Sequence, residues 1–172
     1  MGLVSRRQGA GTFVEKSYNA DGLAFALDLL VTTGQMTVAE LHQVRIGLER
    51  QAAIVAASRP AGATEIAGLR SALAAMTEHY GTPEVLTADV EFHRLLMRAS
   101  GSRALTFFSD ALHGILTRDI AFSSSDWQRV GRKVLLAAHE EIVDAIEAGD
   151  ARAAAMAVDD LFALHLRSVG AR

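Results

Sequence analysis

Apolar residues recur every three or four positions along most of the chain, with polar residues between them. This period is typical of amphipathic α-helices that bury one face. Glycines, prolines and a serine run interrupt the pattern and separate its segments. The pattern predicts seven helices, close to residues 20–33, 37–58, 63–80, 83–100, 103–122, 127–148 and 151–168. We therefore expect an all-α protein that folds as an antiparallel seven-helix bundle.

The first sixteen residues follow a different pattern. Two short β-prone runs, residues 3–5 and 12–14, flank a basic and glycine-containing stretch at residues 6–11. Such runs around a short turn are typical of a β-hairpin, which is marginally stable on its own. We therefore divide the chain into a hairpin unit, residues 1–16, and a helical domain, residues 17–172.

The composition agrees with one helical domain. Half of the 172 residues are hydrophobic, and only two are proline, the residue that most disfavours helices. The chain contains no cysteine, so disulfides and thiol chemistry are excluded. It also lacks both the run of about 18 apolar residues that a membrane helix needs and a signal-peptide pattern. We expect a cytoplasmic protein that does not bind membranes.

The net charge of −3 is unevenly distributed along the chain. Residues 1–16 carry a net charge of +2, which leaves −5 for the remainder. Nucleic-acid binding needs clustered lysines and arginines that neutralise phosphates. The helical domain is therefore not expected to bind nucleic acid, whereas the N-terminal unit has a suitable charge.

Four ionisable residues fall on helix faces that should be apolar. Asp89 and His93 lie one turn apart in the fourth predicted helix, and His139 and His165 lie on the apolar faces of the last two. Burying such groups is costly unless they are paired or bound to a metal. Asp and His are suitable ligands for zinc, nickel or manganese. A purely structural cluster, in which Asp89 accepts a hydrogen bond from a histidine, is the alternative.

The second predicted helix carries an arginine, Arg45, on an otherwise apolar face, with Glu49 one turn later. One interpretation is an intrahelical ion pair. The other is a clamp for a carboxylate ligand, because a guanidinium binds that group through two parallel hydrogen bonds. The residues alone leave both interpretations open.

Motifs of common enzymes are not found in the chain. It has neither a G-x-S-x-G sequence nor a phosphate-binding loop, and His139-Glu140 lacks the second histidine of the H-E-x-x-H motif. These observations favour a function other than catalysis.

Four segments together resemble the FadR-type GntR transcriptional regulators, in particular their all-helical C-terminal effector-binding (FCD) domain. Residues 2–14, GLVSRRQGAGTFV, resemble the wing of a winged helix-turn-helix. Residues 44–49, VRIGLE, resemble the first long helix of the effector domain. Residues 89–101, DVEFHRLLMRASG, and 139–150, HEEIVDAIEAGD, resemble the two segments that supply metal ligands.

This resemblance implies a metal site inside the helical bundle. Asp89, His93 and His139 match the ligand positions of the family, and His165 is similar to the last ligand but lies one turn further along its helix. The implied cofactor is a divalent metal, with zinc expected first and nickel or manganese as alternatives.

The resemblance also implies partners. A small organic acid would bind beside the metal as the effector, with contacts at Arg45, Glu49 and Ser102. The chain would form a homodimer. It would bind DNA only in a full-length form that contains the helix-turn-helix, with wing contacts from four residues, Arg6, Arg7, Gln8 and Gly9.

The leading hypothesis is therefore a ligand-sensing and dimerising domain of a transcriptional regulator, present with only the wing of its DNA-binding head. A metal-dependent hydrolase or hydratase built on the same pocket is a second hypothesis. A truncated dimerisation partner that sequesters full-length regulators is a third.

Overall fold

The computed structural model describes residues 4–7, 11–14, 19–59, 62–122 and 131–169. Seven α-helices lie within these ranges, and their bounds are α1 Asp21–Thr32, α2 Val38–Ala57, α3 Ala63–Glu78, α4 Glu84–Ala99, α5 Arg103–Phe122, α6 Arg132–Glu147 and α7 Ala151–Val169. The predicted all-α bundle is confirmed. No helix of the described part is long and apolar enough to cross a membrane.

Two short strands precede the helices, β1 Val4–Arg7 and β2 Gly11–Val14. They pair antiparallel, with Val4 opposite Val14 and Arg7 opposite Gly11. The three residues between the strands lie outside the described part of the chain. The assignment of these strands to a wing stays a prediction.

Local sequence determines where several helices begin and end. Thr37 forms a capping box at the start of α2: its hydroxyl accepts from the Glu40 N–H at 3.1 Å, and the Glu40 carboxylate accepts from the Thr37 N–H at 2.8 Å. Gly149, with a φ of 73°, ends α6, and the Asp150 carboxylate then accepts from the Ala153 N–H at the start of α7. Most of the predicted boundaries therefore lie within a few residues of the observed ones.

The start of α6 differs most from the prediction. The helix was predicted from residue 127, but its first residue is Arg132. Gly131 has a φ of 84°, a left-handed conformation that cannot be part of an α-helix. Residues 123–130 lie outside the described ranges.

Small side chains form much of the main core. Alanines of α2 and α7, among them Ala53, Ala56, Ala154 and Ala157, are buried in one cluster that also contains residues of α3, α4 and α6. Because alanine has the shortest apolar side chain, these helices can approach each other closely. Within this packing, α2 contacts α4, α6 and α7, so polar residues on its inner face meet those of the other helices.

Helix α1 lies on the edge of the bundle and packs against α5. Leu27 and Val31 of α1 cover a second, smaller core cluster that contains Leu41 and Leu112. All residues of α1 are described, and none of them is buried. Two of its large apolar side chains, Phe25 and Leu29, are 70% and 51% exposed.

Candidate metal and ligand site

Asp89, His93 and His139 meet in the interior of the bundle. Asp89 and His93 lie one turn apart on the inner face of α4, and His139 lies among the buried apolar residues of α6. One ligand atom from each residue lies within 4.8 Å of the other two. The Asp89 Oδ1 atom is 3.1 Å from His139 Nε2 and 3.5 Å from His93 Nε2. All three side chains are buried, as the apolar pattern around them predicts.

The second nitrogen of each imidazole has its own partner. His139 Nδ1 donates to the Leu135 carbonyl at 2.8 Å, and His93 Nδ1 donates to Glu49 Oε2 at 2.5 Å. A carbonyl or carboxylate oxygen only accepts, so these bonds assign a proton to each Nδ1. Both Nε2 atoms face the Asp89 carboxylate, to which they donate when protonated. In a neutral ring with its proton on Nδ1, the same Nε2 atom offers its lone pair to a metal, which is the arrangement found around protein-bound metals.

The buried charges stabilise one another. Burial raises the pKa of the Asp89 carboxyl, but His93 and His139 outweigh this effect and hold its pKa well below the usual range. Burial also raises the pKa of Glu49, yet the charges of Arg45 and His93 leave it lowered. For His93, burial lowers the pKa, but the Glu49 and Asp89 carboxylates raise it overall. The two carboxylates are therefore favoured in their ionised, ligand-competent form.

Two phenylalanines form apolar walls around the imidazoles. Phe92 is fully buried, and its ring lies edge-on to those of His93 and His139, with centroids 5.7 and 4.9 Å away. Phe162 of α7 lies 5.7 Å from the His93 ring and 5.3 Å below the Arg45 guanidinium. These rings limit the access of water and thereby strengthen the electrostatic interactions at the site.

A cavity of about 40 Å³ adjoins His93, the one member of the triad in its lining. This volume accommodates about three water molecules. Its polar lining comes from α2, α4 and α5 and consists of Arg45, Glu49, His93, Arg94, Ser109 and His113. Arg45 and Glu49, two of the predicted effector contacts, are among these lining residues. Arg94, Ser109 and His113 were not predicted at the site, although the spacing of Ser109 and His113 places them on one face of α5.

The bond between Arg45 and Glu49 corresponds to one of the two interpretations of Arg45, and the carboxylate clamp stays a prediction. Arg45 Nε donates to Glu49 Oε1 at 2.5 Å, which is the predicted intrahelical pair. Glu49 therefore uses one oxygen for Arg45 and the other for His93. Although Glu49 lines the cavity, its predicted contact with an effector would compete with both of these bonds.

The structure does not bring every predicted residue to the site. Ser102 lies at the start of α5, where its hydroxyl accepts from the Leu105 N–H at 3.3 Å, and it is not part of the cavity lining. His165 belongs to α7, but its side chain lies outside the described residues. The same is true of the side chains of Arg6 and Arg7 and of the whole of Gln8 and Gly9.

Comparisons with known proteins agree with this arrangement. Residues 40–164 match the family model described as the FCD domain. A GntR protein of Streptococcus agalactiae has a similar solved structure, with a TM-score of 0.61 and 26% sequence identity over 97% of this chain and 75% of that chain. The search of curated proteins found no match. The chain therefore belongs to the FCD domain family, the regulatory and non-enzymatic effector-binding domains of GntR-type transcription regulators.

Proposed function

We propose that this ligand-sensing domain holds a divalent metal at Asp89, His93 and His139 and binds a small carboxylate effector beside it. The observation that supports the proposal is the convergence of two imidazole Nε2 atoms on one carboxylate oxygen, next to a cavity lined by Arg45. The second hypothesis of the sequence analysis, a hydrolase or hydratase, disagrees with membership of a non-enzymatic family.

The donor set fits a divalent metal. Two ligand atoms that are each about 2.1 Å from one ion lie about 3.0–3.4 Å apart. The distances from Asp89 Oδ1 to the two histidine nitrogens, 3.1 and 3.5 Å, are close to this range, and all three ligand atoms lie within 4.8 Å of one another. We propose zinc first, with nickel or manganese as alternatives, and His165 as the fourth protein ligand. The metal would supply a Lewis-acidic centre that binds an oxygen of the effector.

Arg45 is the proposed clamp for the effector carboxylate. Its Nε donates to Glu49, and a guanidinium has two further nitrogens that can bind a carboxylate through parallel hydrogen bonds. The side chain of Arg45 is 11% exposed, so a bond formed there is shielded from water. The small cavity favours a compact acid.

Binding of the acid can regulate DNA binding only if the acid has different affinities for two arrangements of the protein. We propose that these are two arrangements of a homodimer, in a form that also contains a helix-turn-helix.

Residues 1–16 would then belong to the DNA-binding head, and residues 17–172 would form the sensor. The wing of the head would contain Arg6, Arg7, Gln8 and Gly9. A regulator of this kind acts on DNA in the cytoplasm. Unchanged operator affinity of the Arg6→Ala form of such a protein would contradict the wing assignment.

A copy of the chain itself is the proposed partner for the exposed face of α1. Four large apolar side chains are 44% to 70% exposed, namely Phe25, Leu29, Val44 and Phe108. Val44 and Phe108 also line an apolar groove between α1, α2 and α5. A twofold interface uses the same patch on both copies, so an apolar patch can cover itself. The four side chains present roughly 400 Å² per copy. This is about half of the roughly 800 Å² that each partner buries in a standard interface, so neighbouring residues would have to contribute the remainder.

Metal analysis tests the proposed site. The purified protein should contain about one metal ion per chain by elemental analysis, and zinc should bind the chelator-treated protein in calorimetry. Because Asp89→Asn and His139→Ala each remove one ligand, their zinc affinity should fall at least about 100-fold, and His165→Ala should show a smaller loss. His79→Ala is the matched control, since His79 caps α3 away from the triad.

Circular dichroism of each metal-free variant separates lost binding from lost folding. If the wild-type protein contains no stoichiometric metal and zinc produces no heat, the triad is a structural cluster and the metal proposal is wrong. Equal zinc affinity of His165→Ala and the wild type would remove His165 from the ligand set.

A further inference from the structure

Glu49 is buried in the centre of the site, with 2% of its surface exposed. Both carboxylate oxygens have partners at 2.5 Å: Oε1 accepts from Arg45 Nε, and Oε2 accepts from His93 Nδ1. The first bond lies within α2, and the second joins α2 to α4 across 44 residues of sequence. Glu49 is therefore a fixed bridge between two helices.

The two histidines are oriented by different kinds of acceptor. The acceptor for His139 Nδ1 is the main-chain carbonyl of Leu135, one turn earlier in α6. Any residue at position 135 would provide this carbonyl. The acceptor for His93 Nδ1 is the side chain of Glu49, which a single substitution removes. Of the two Nδ1 atoms, that of His93 is therefore bonded to a side-chain acceptor and that of His139 to the main chain.

We propose that Glu49 is a positioning residue that holds His93 with its Nε2 atom facing Asp89, and that Arg45 fixes Glu49 in this position. This inference rests on the proposed metal site. It gives Glu49 a role that differs from the effector contact expected from the sequence. A proton on Nδ1 leaves Nε2 free to bind a metal, and only an acceptor such as an ionised carboxylate fixes the proton there.

The substitution Glu49→Gln tests this role with almost no change in volume. An amide has one acceptor oxygen and one donor nitrogen, so it cannot accept from both Arg45 and His93. If its oxygen stays with Arg45, its NH₂ group faces His93 Nδ1. That arrangement moves the ring proton to Nε2, the atom that the metal needs. Loss of such a partner typically lowers metal affinity 10- to 100-fold, and we expect a loss in this range.

Zinc binding is measured by calorimetry on the chelator-treated 172-residue chains of the wild type, Glu49→Gln, Glu49→Asp and the control Glu78→Gln. Glu78 is an exposed carboxylate at the end of α3, so its variant should bind zinc as the wild type does. Glu49→Asp keeps the charge but is one methylene shorter, and its affinity should fall between those of the wild type and Glu49→Gln. If Glu49→Gln does not fold, the zinc affinity of Glu49→Asp tests the proposal instead.

Long-range proton–nitrogen NMR spectra give a second readout, which a purely structural role would not change. The wild-type spectrum should show a slowly exchanging proton on His93 Nδ1, with and without zinc, and the Glu49→Gln spectrum should lose it. Zinc affinity of Glu49→Gln within twofold of the wild type, with the Nδ1 proton retained, would overturn the proposal. If the wild type binds no zinc, the metal proposal fails, whereas the NMR comparison still decides the role of Glu49.

Discussion

The side chain of Arg45 has three different contacts at once. Its Nε donates to Glu49, its guanidinium lies 5.3 Å from the centre of the Phe162 ring, and it lines the cavity beside the triad. The carboxylate and the aromatic ring favour a positive charge at this place, and they also limit the number of orientations that the guanidinium can adopt. A carboxylate that enters the cavity therefore meets a donor that is already oriented.

This arrangement leads to a prediction for effector binding. In a thermal-shift screen of small carboxylic acids, acids that stabilise the wild type should bind Arg45→Ala about 10- to 100-fold more weakly, because two charge-assisted hydrogen bonds are lost. Arg45→Lys should be intermediate, since it keeps the charge but not the paired donors. The control is Arg50→Ala, which removes an exposed arginine that pairs with Asp159. Equal stabilisation of Arg45→Ala and the wild type would show that the acid binds elsewhere.

The sequence could predict which residues face inward, but not which of them meet. Helical spacing places Asp89 and His93 on one face of α4, and both are buried as predicted. The contact between His93 and Glu49 depends on how far α2 is displaced along α4, and helical periodicity within one segment contains no information on that displacement. For this reason Glu49 was expected to contact an effector, and its bond to a histidine was missed.

At the scale of helices, two glycines have opposite roles. Gly47 lies within α2, where a Cβ would meet nothing within 4 Å. Gly149 follows α6 with a φ of 73°, in the left-handed region that glycine adopts without strain. Its N–H donates to the Ile146 carbonyl at 3.1 Å, and this bond helps to end the helix. The first glycine weakens a helix, whereas the second is required by the turn.

The same substitution at these two glycines should therefore change stability in opposite directions. Gly47→Ala should raise the free energy of unfolding by about 0.5–1 kcal/mol, because alanine favours the helical conformation. Gly149→Ala should lower it by about 1–2 kcal/mol, because a Cβ is strained at positive φ. Urea denaturation followed by circular dichroism measures both changes. A Gly149→Ala midpoint that does not fall would show that the turn after α6 does not need glycine, and a Gly47→Ala midpoint that falls would contradict the role given to Gly47.

The presence of each helix was easier to predict from the sequence than the residues at which the helix begins and ends. The capping residues Thr37 and Asp150 made two starts visible in the sequence, and both are observed. The start of α6 was placed too early, since a glycine inside a run of helix-forming residues can be either part of the helix or a stop. Only the backbone conformation of Gly131 shows that it is a stop.

At the scale of the whole molecule, the exposed face of α1 is the surface through which the proposed homodimer would form. Phe25→Ser and Leu29→Ser together should lower the dimer fraction at least about tenfold in sedimentation-velocity experiments, because they replace apolar contacts at the interface. Met156→Ser is the control, since Met156 of α7 is 53% exposed but lies on a different helix. A wild-type protein that sediments as a monomer at all concentrations would contradict the proposed dimer.

The contact between His139 and Asp89 joins residues that are 50 positions apart in the chain. A metal bound by both would close a loop of this length, as a disulfide does in other proteins. In the chain-entropy treatment of cross-links, closing such a loop removes about 4 kcal/mol of conformational entropy from the unfolded chain. A protein without cysteine would thereby have a cross-link that is controlled by the concentration of free metal instead of by redox potential.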